Sequence, residues 1–210
     1  VYHQKLDTNN IVLRNITQFY STAIDLDDIL HFVGYNDGSG IYYTYYDGSS
    51  WSIPDTIDQV EVFVCQPSII CDLNNVLHVA FSSNNGIYYL NNSGGEWSVP
   101  ELATEGSIFP NIVADENGGA HIAYTYDTGG LFYTNNVNGN WISELIAITG
   151  SNDAAHVESK IALDPKSNTV NIVYVAENNN VMLAQTSDYK RKRYRYHIYV
   201  NFSGGNRSQR

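Results

Sequence analysis

Short runs of β-branched and aromatic residues alternate along this chain with Asn-, Gly- and Ser-rich breaks. The spacing suits strands joined by tight turns and is too interrupted for helices. One stretch shows the unit clearly. Pro67–Asp72, Val76–Ser82, Gly86–Asn91 and Trp97–Leu102 are each extended and apolar-rich, separated by Leu73-Asn-Asn, Ser83-Asn-Asn and Asn92-Ser-Gly-Gly. Asn and Gly tolerate positive φ, so successive strands are predicted to pair as hairpins. Ile69-Ile-Cys and Leu77–Phe81 are apolar at consecutive positions, which predicts a sheet covered on both faces. Pro54 and Pro100 fall only in the fourth segment. Lacking an N–H, they predict that this strand is the outer edge.

The unit recurs. Gly40-Ile-Tyr-Tyr returns as Gly86-Ile-Tyr-Tyr, as Gly130-Leu-Phe-Tyr and weakly as Asn180-Val-Met-Leu. Upstream of each lies a hydrophobic strand carrying His31, His78, His121 and then Asn171. Before that an Asp ends a short apolar strand, at Asp25, Asp72, Asp115 and Asp164. Downstream come Trp51-Ser-Ile-Pro, Trp97-Ser-Val-Pro and the looser Trp141-Ile-Ser-Glu. Four-stranded meanders at this period predict an all-β fold, a β-propeller of four-stranded antiparallel blades. Val1–Asp7 superposes on Ile41–Asp47 without a gap, so the chain is expected to hold about four and a half blades. The expected divisions are a half blade over 1–17 and blades over 18–58, 59–104, 105–149 and 150–188. A basic, Tyr-rich segment over 189–210 follows, as a ring-closing strand, an inter-subunit strand or a non-native ending. No secretion signal is visible, and Val1–Asp7 already reads as structure, so the chain is expected to be mature or cut from something larger.

At Asp72-Leu-Asn-Asn-Val-Leu-His-Val-Ala-Phe, Gly86-Ile-Tyr-Tyr and Gly95-Glu-Trp-Ser-Val-Pro the repeat resembles the sialidase-like propellers of the BNR or Asp-box type, and also bacterial propeller lectins. Thr44-Tyr-Tyr-Asp-Gly-Ser-Ser-Trp51 matches the Asp-box in part; the second and third blades lack its Asp. The resemblance implies the fold. It leaves hydrolase, lectin and scaffold all open.

Charge narrows the partners. All 22 acidic residues precede Tyr189, opposed there only by Lys5, Arg14, Lys160 and Lys166, while the last 21 residues carry seven cations and no acid. An acidic body repels phosphate, which argues against nucleic acid, and no apolar run is long enough to span a bilayer. Cys65 and Cys71 lie six apart in an extended segment, too far for a disulfide unless a turn intervenes. Cys71 aligns with Ile24, Ala114 and Leu163, which predicts a small core residue.

Candidate chemistry is sparse. A sialidase grips its substrate carboxylate with three convergent arginines, and residues 1–189 hold one, Arg14. Glu105, Asp153, Glu158 and Glu177 belong to no motif that would define a carboxylate pair for glycoside hydrolysis. His31, His78 and His121 share one repeat position; bonding within each blade is expected ahead of joint metal ligation. Asp25, Asp72, Asp115 and Asp164 are expected to fix turns by accepting backbone amides. Asp25-Leu-Asp27-Asp28 is the richest oxygen cluster but lacks the full calcium-loop spacing, so no cofactor is expected and calcium has weak support.

The remaining candidates are aromatic. Trp51, Trp97 and Trp141, with Tyr43, Tyr89 and Tyr133, would either stack on sugar rings or clamp each outer strand against the next blade. Together these features predict a non-catalytic binding or scaffold propeller, extracellular or at the cell surface. Its expected partner is a glycan or a surface protein. A carboxylate-pair hydrolase and a structural subunit self-associating through residues 190–210 stand as alternatives.

Overall fold

The computed structural model describes residues 20–36, 40–59, 66–126, 129–148, 159–176 and 180–186, and every regular element within them is a strand. The first sheet is a meander of β1 (Tyr20–Ile24), β2 (Leu30–Asn36), β3 (Gly40–Tyr46) and β4 (Asp55–Asp58). The second repeats it with β5 (Ser68–Cys71), β6 (Leu77–Ser83), β7 (Gly86–Asn91) and β8 (Glu101–Glu105). The third holds β9 (Ser107–Ala114), β10 (Ala120–Tyr126), β11 (Gly130–Asn135) and β12 (Ile142–Ile148). The fourth holds β13 (Ser159–Asp164), β14 (Thr169–Val175) and β15 (Val181–Gln185). All pairings are antiparallel between sequence neighbours, so each sheet is one blade. The expected half blade over 1–17 and the tail over 189–210 lie outside the described residues.

Three apolar cores sit between successive blades. Val33, Tyr35 and Ile41 of the first pack on Ile69, Leu77, Val79 and Phe81 of the second. Ala80, Ile87 and Tyr89 of the second pack on Ile112, Ile122 and Tyr124 of the third. Ala123, Leu131 and Tyr133 of the third meet Val170, Ile172 and Tyr174 of the fourth. Strand alternation explains the order. In β6 the large Leu77, Val79 and Phe81 face back to the first blade, and the intervening Ala80 faces forward. A strand buried on both faces carries no polar alternation, which is why these segments read as continuous apolar runs. In β14 the corresponding forward residues Val173 and Val175 are exposed, as is Val181 of β15.

The innermost strands are stitched side by side. The Ile69 amide donates to Ser21 Oγ and the Ile112 amide to Ser68 Oγ, both at 3.3 Å. At the turns after these strands, Asn75 binds the first blade twice. Its Oδ1 accepts from the Leu26 amide and its Nδ2 donates to Asp27 Oδ2, both at 2.9 Å. Asn75 also holds φ at +63°, a region Asn tolerates better than other side-chain-bearing residues. Asn75→Ala is therefore expected to cost about 1–2 kcal/mol in denaturant unfolding, combining lost bonds with backbone strain. Asn75→Gly, which relieves the strain, should cost less.

Two expectations change in detail. The fourth strand of the second blade is Glu101–Glu105, not Trp97–Leu102; Trp97-Ser-Val-Pro100 is a non-strand approach to it. Pro54 and Pro100 therefore stand immediately before the outer strands rather than within them. The same missing N–H that marks an edge also interrupts the pairing that Ser52 and Ser98 begin with Tyr45 and Asn91, so the regular ladder resumes after the proline. Cys71 is half-buried rather than a core residue. It stands beside the 240 Å³ cleft that Ala114 and Leu163 also line, and its aligned Ile24 is exposed. Burial, with Asp25 and Asp72 nearby, pushes its thiol up to about 11, so it is not a reactive thiolate.

Candidate functional site: the inter-blade clefts

The site grows from the turn between the first two strands of each blade. Asp72 Oδ1 accepts from the amides of Asn74 and Val76, both at 2.8 Å. Asp115 does the same with Asn117 and Gly119, and Asp25 with Asp27 and Ile29. The other oxygen of each carboxylate faces a histidine on the next strand. Oδ2 to Nε2 distances are 3.1 Å for Asp25–His31, 3.3 Å for Asp72–His78 and 3.7 Å for Asp115–His121.

The far nitrogen of each ring meets a tyrosine of the third strand. His31 Nδ1 lies 2.8 Å from Tyr43 Oη, His78 Nδ1 2.7 Å from Tyr89 Oη, and His121 Nδ1 2.5 Å from Tyr133 Oη. In the second blade the chain extends further, since Asn91 Nδ2 donates to Tyr89 Oη at 3.2 Å. A neutral imidazole protonated on Nε2, accepting from tyrosine at Nδ1, gives each donor an acceptor. Burial pushes His78 below its ordinary range, which favours that neutral form despite Asp72 and Asp115. Burial also raises Asp72, but the Val76 and Asn74 amides and His78 outweigh it and hold the carboxyl below its usual value. The fourth blade replaces the network with amides: Gln185 Nε2 donates to Asn171 Oδ1 at 2.6 Å.

These networks lie on the forward face of each blade, and a tryptophan from the following blade packs on the tyrosine. Trp97 stands edge-on to Tyr43 with ring centroids 5.1 Å apart, and Trp141 to Tyr89 at 5.2 Å. An acid on the outer strand is register partner to each of these tyrosines: Asp55 to Tyr43, Glu101 to Tyr89 and Glu144 to Tyr133. The recurring constellation is therefore tyrosine and acid from one blade, tryptophan from the next. Between the first and second blades it opens into a cleft of about 490 Å³, lined by Tyr43, Tyr45, Asp55, Asn92, Glu96 and Trp97. Between the second and third, Trp141 Nε1 donates to Glu101 Oε1 at 3.0 Å, holding that acid against the indole.

The structure thus separates the six predicted aromatic residues. Tyr43 and Trp97 line one cleft together. Trp141 is half-buried beside Tyr89, whose ring is only 3% exposed, and Tyr133 is 1% exposed. Tyr89 and Tyr133 serve the core rather than an open surface. Trp51 packs within its own blade on Tyr46, at 5.4 Å; the half blade expected over residues 1–17 lies outside the described residues. Asp55, Glu96 and Glu101 were missed. The signal was present in Trp51-Ser-Ile-Pro-Asp55 and Trp97-Ser-Val-Pro-Glu101, where an acid follows the proline each time.

No protein-family model matches the chain, and no curated protein matches it. Solved structures do. The SapL1 lectin in complex with α-methyl fucoside superposes with a TM-score of 0.62 at 9% identity, over 86% of this chain and 63% of that one. The Aleuria aurantia lectin, in complex with Fucα1-6GlcNAc, gives 0.58 at 10%, over 86% and 60%. A xylan β-1,4-xylosidase from Bacillus halodurans gives 0.58 at 10%, over 92% and 43%. The chain is a β-propeller. It spans less than two thirds of the length of each of these structures, and at such identities the likeness concerns the fold. No relationship to sialidases in particular emerges.

Within this propeller the sialidase chemistry has no support in the described residues, which contain no arginine. The tyrosines are not poised as nucleophiles either. Burial, then Tyr45 and Asp25, push Tyr43 up to about 12. Burial does the same to Tyr89, with Glu101 and Asp72 adding to it and Asn91 opposing. Asp47, the Asp-box residue of the first blade, is engaged in its turn. Its Oδ1 accepts from the Ser49 and Ser50 amides and from Ser49 Oγ, all at 2.8 Å. Those bonds hold the carboxyl at about 2. Among the described residues no group of three metal-binding side chains occurs. No helix among them is long and apolar enough to cross a membrane.

Proposed function

We propose that this propeller is a non-catalytic, glycan-binding module acting outside the cytoplasm, with sugar rings seated in the clefts between blades. The carrying observation is the 490 Å³ cleft in which Tyr43, Tyr45 and Trp97 meet Asp55 and Asn92. Aromatic faces bind the C–H side of a pyranose while carboxylate and amide groups accept or donate to its hydroxyls. Tyr45 is 38% exposed and the cleft is open to solvent, as a ring-sized guest requires. The solved propellers described in complex with fucosides lend the reading support. A glycan array on the full chain tests it. Trp97→Ala is expected to weaken the captured sugar about fivefold, since the aromatic contact contributes on the order of 1 kcal/mol. A chain that captures no glycan, or a variant that binds as tightly as the wild type, refutes the reading.

One observation favours hydrolysis as a second reading. Asp55 and Glu96 enter the same cleft from adjacent blades, and glycosidases set two carboxyl groups about 5–10 Å apart. Release of chromophore from aryl glycosides, abolished by Asp55→Asn, would establish it in place of simple binding.

A further inference from the structure

The cleft between the first and second blades differs from its neighbour in charge. Asp55 and Glu96 are both exposed, and neither forms an ion pair among the described residues. In the neighbouring cleft the acid equivalent to Asp55, Glu101, is already engaged by the Trp141 indole. The residue before the tryptophan there is Asn140 rather than Glu96, and the partner opposite the histidine is Asn91 rather than Tyr45. The first cleft therefore combines two uncommitted carboxylates with three aromatic rings. The described residues offer no arginine and only two lysines, Lys160 and Lys166, both in the fourth blade.

We infer that this cleft selects sugars carrying a protonated amine, that is, amino sugars that are not N-acylated. This rests on the glycan-binding reading above and specifies its ligand. An ammonium group over the rings of Tyr45 and Trp97 gains from the negative π face. Two nearby carboxylates add charge attraction in a partly desolvated cleft. A neutral sugar gains neither, and an acidic sugar is repelled by Asp55 and Glu96 with no guanidinium to receive it.

Calorimetric titration of the full chain tests the inference, with the tetramer of glucosamine and the tetramer of N-acetylglucosamine as probes. The buffer is held well below the pKa of the sugar amine. The glucosamine tetramer should bind at least about tenfold tighter, and added salt should erode the difference. Glu96→Gln should reduce the preference severalfold. Glu116→Gln removes the same charge at the turn after the first strand of the third blade and should leave the preference intact. Equal losses in the two variants would mean that the field of the acidic body, not the cleft, attracts the amine, and would overturn the inference. Equal or tighter binding of the acetylated tetramer, still sensitive to Trp97→Ala, would also overturn it while leaving the glycan reading standing. Binding of neither tetramer, nor of any arrayed glycan, would remove both.

Discussion

His78→Ala should unfold this propeller about 3–5 kcal/mol more easily than the wild type. The imidazole is 2% exposed and stands between Asp72 and Tyr89. Removing it leaves a buried carboxylate without its imidazole neighbour and a phenol without its acceptor, and opens a cavity between the second and third blades. Leaving buried polar groups unpaired costs about 1–3 kcal/mol each, and the cavity adds to that. For a chain of this size the melting temperature should fall by roughly 10 °C. Val99→Ala, at a residue 87% exposed, should not move it. The pH dependence supplies a second readout. Burial holds the His78 pKa below its ordinary value of 6.5, so the folded state resists a proton that the unfolded chain accepts. Its stabilising contribution is complete above about pH 6.5 and declines as pH falls below it. Asp72, held below 3.8, loses its own contribution further into acid, with the same sign. The variant should show a flatter decline between pH 6.5 and 5 than the wild type. Thermal melts over this range check both points; a shift under 0.5 kcal/mol would mean that the network adds little.

Gly86→Ala should be comparably damaging, at about 3 kcal/mol, for a backbone reason. Gly86 holds φ at +151°, and a Cβ there would overlap the carbonyl oxygen of Thr104 on the outer strand. The residue opens β7 exactly where β8 closes on it, ahead of the bulge between Ile87 and Tyr88. An alanine must either strain the backbone or push β8 away. Gly94 is a stringent control. It has open space around its Cβ direction and no positive φ, so Gly94→Ala should be neutral or stabilise by a few tenths of a kcal/mol. Hydrogen exchange should locate the damage, with faster exchange over Glu101–Glu105 in Gly86→Ala alone. Unchanged protection there would show that the outer strand does not depend on this close approach.

Both effects follow from features the repeat made visible. Gly40 and Gly86 recur because the third strand passes too close to the fourth for a side chain; Gly40 would likewise overlap the Asp58 carbonyl. Asp25, Asp72 and Asp115 recur because the turn needs an acceptor for the amides two and four residues on. The sequence-level candidates for sugar contact were less well resolved. Tyr42 and Tyr43 are neighbours in a Tyr-rich run, and only strand register tells which one reaches His31 and Trp97. Asp55 and Glu101 went unremarked among many acids. Their significance depends on lying opposite Tyr43 and Tyr89 across a bulged ladder, a relation no single segment contains.

What the amino-acid order determined alone is the local and periodic part: a four-strand unit, its turn chemistry, its close-packed glycines and the double-sided burial of its inner strands. These depend on steric and hydrogen-bonding rules acting within a few residues or across one hairpin, so they repeat wherever the letters repeat. Only the tertiary structure decided which aromatics are open to a ligand. Trp97 reaches Tyr43 from the next blade, and the rotation and spacing of stacked sheets leave Tyr45, Asp55 and Glu96 around open volume while sealing Tyr89 and Tyr133. That distinction arises from packing between units, where neighbouring side-chain sizes set the gap, and so nearly identical repeats give one cleft with exposed Tyr45 beside Trp97 and another in which the Trp141 indole is held on Glu101.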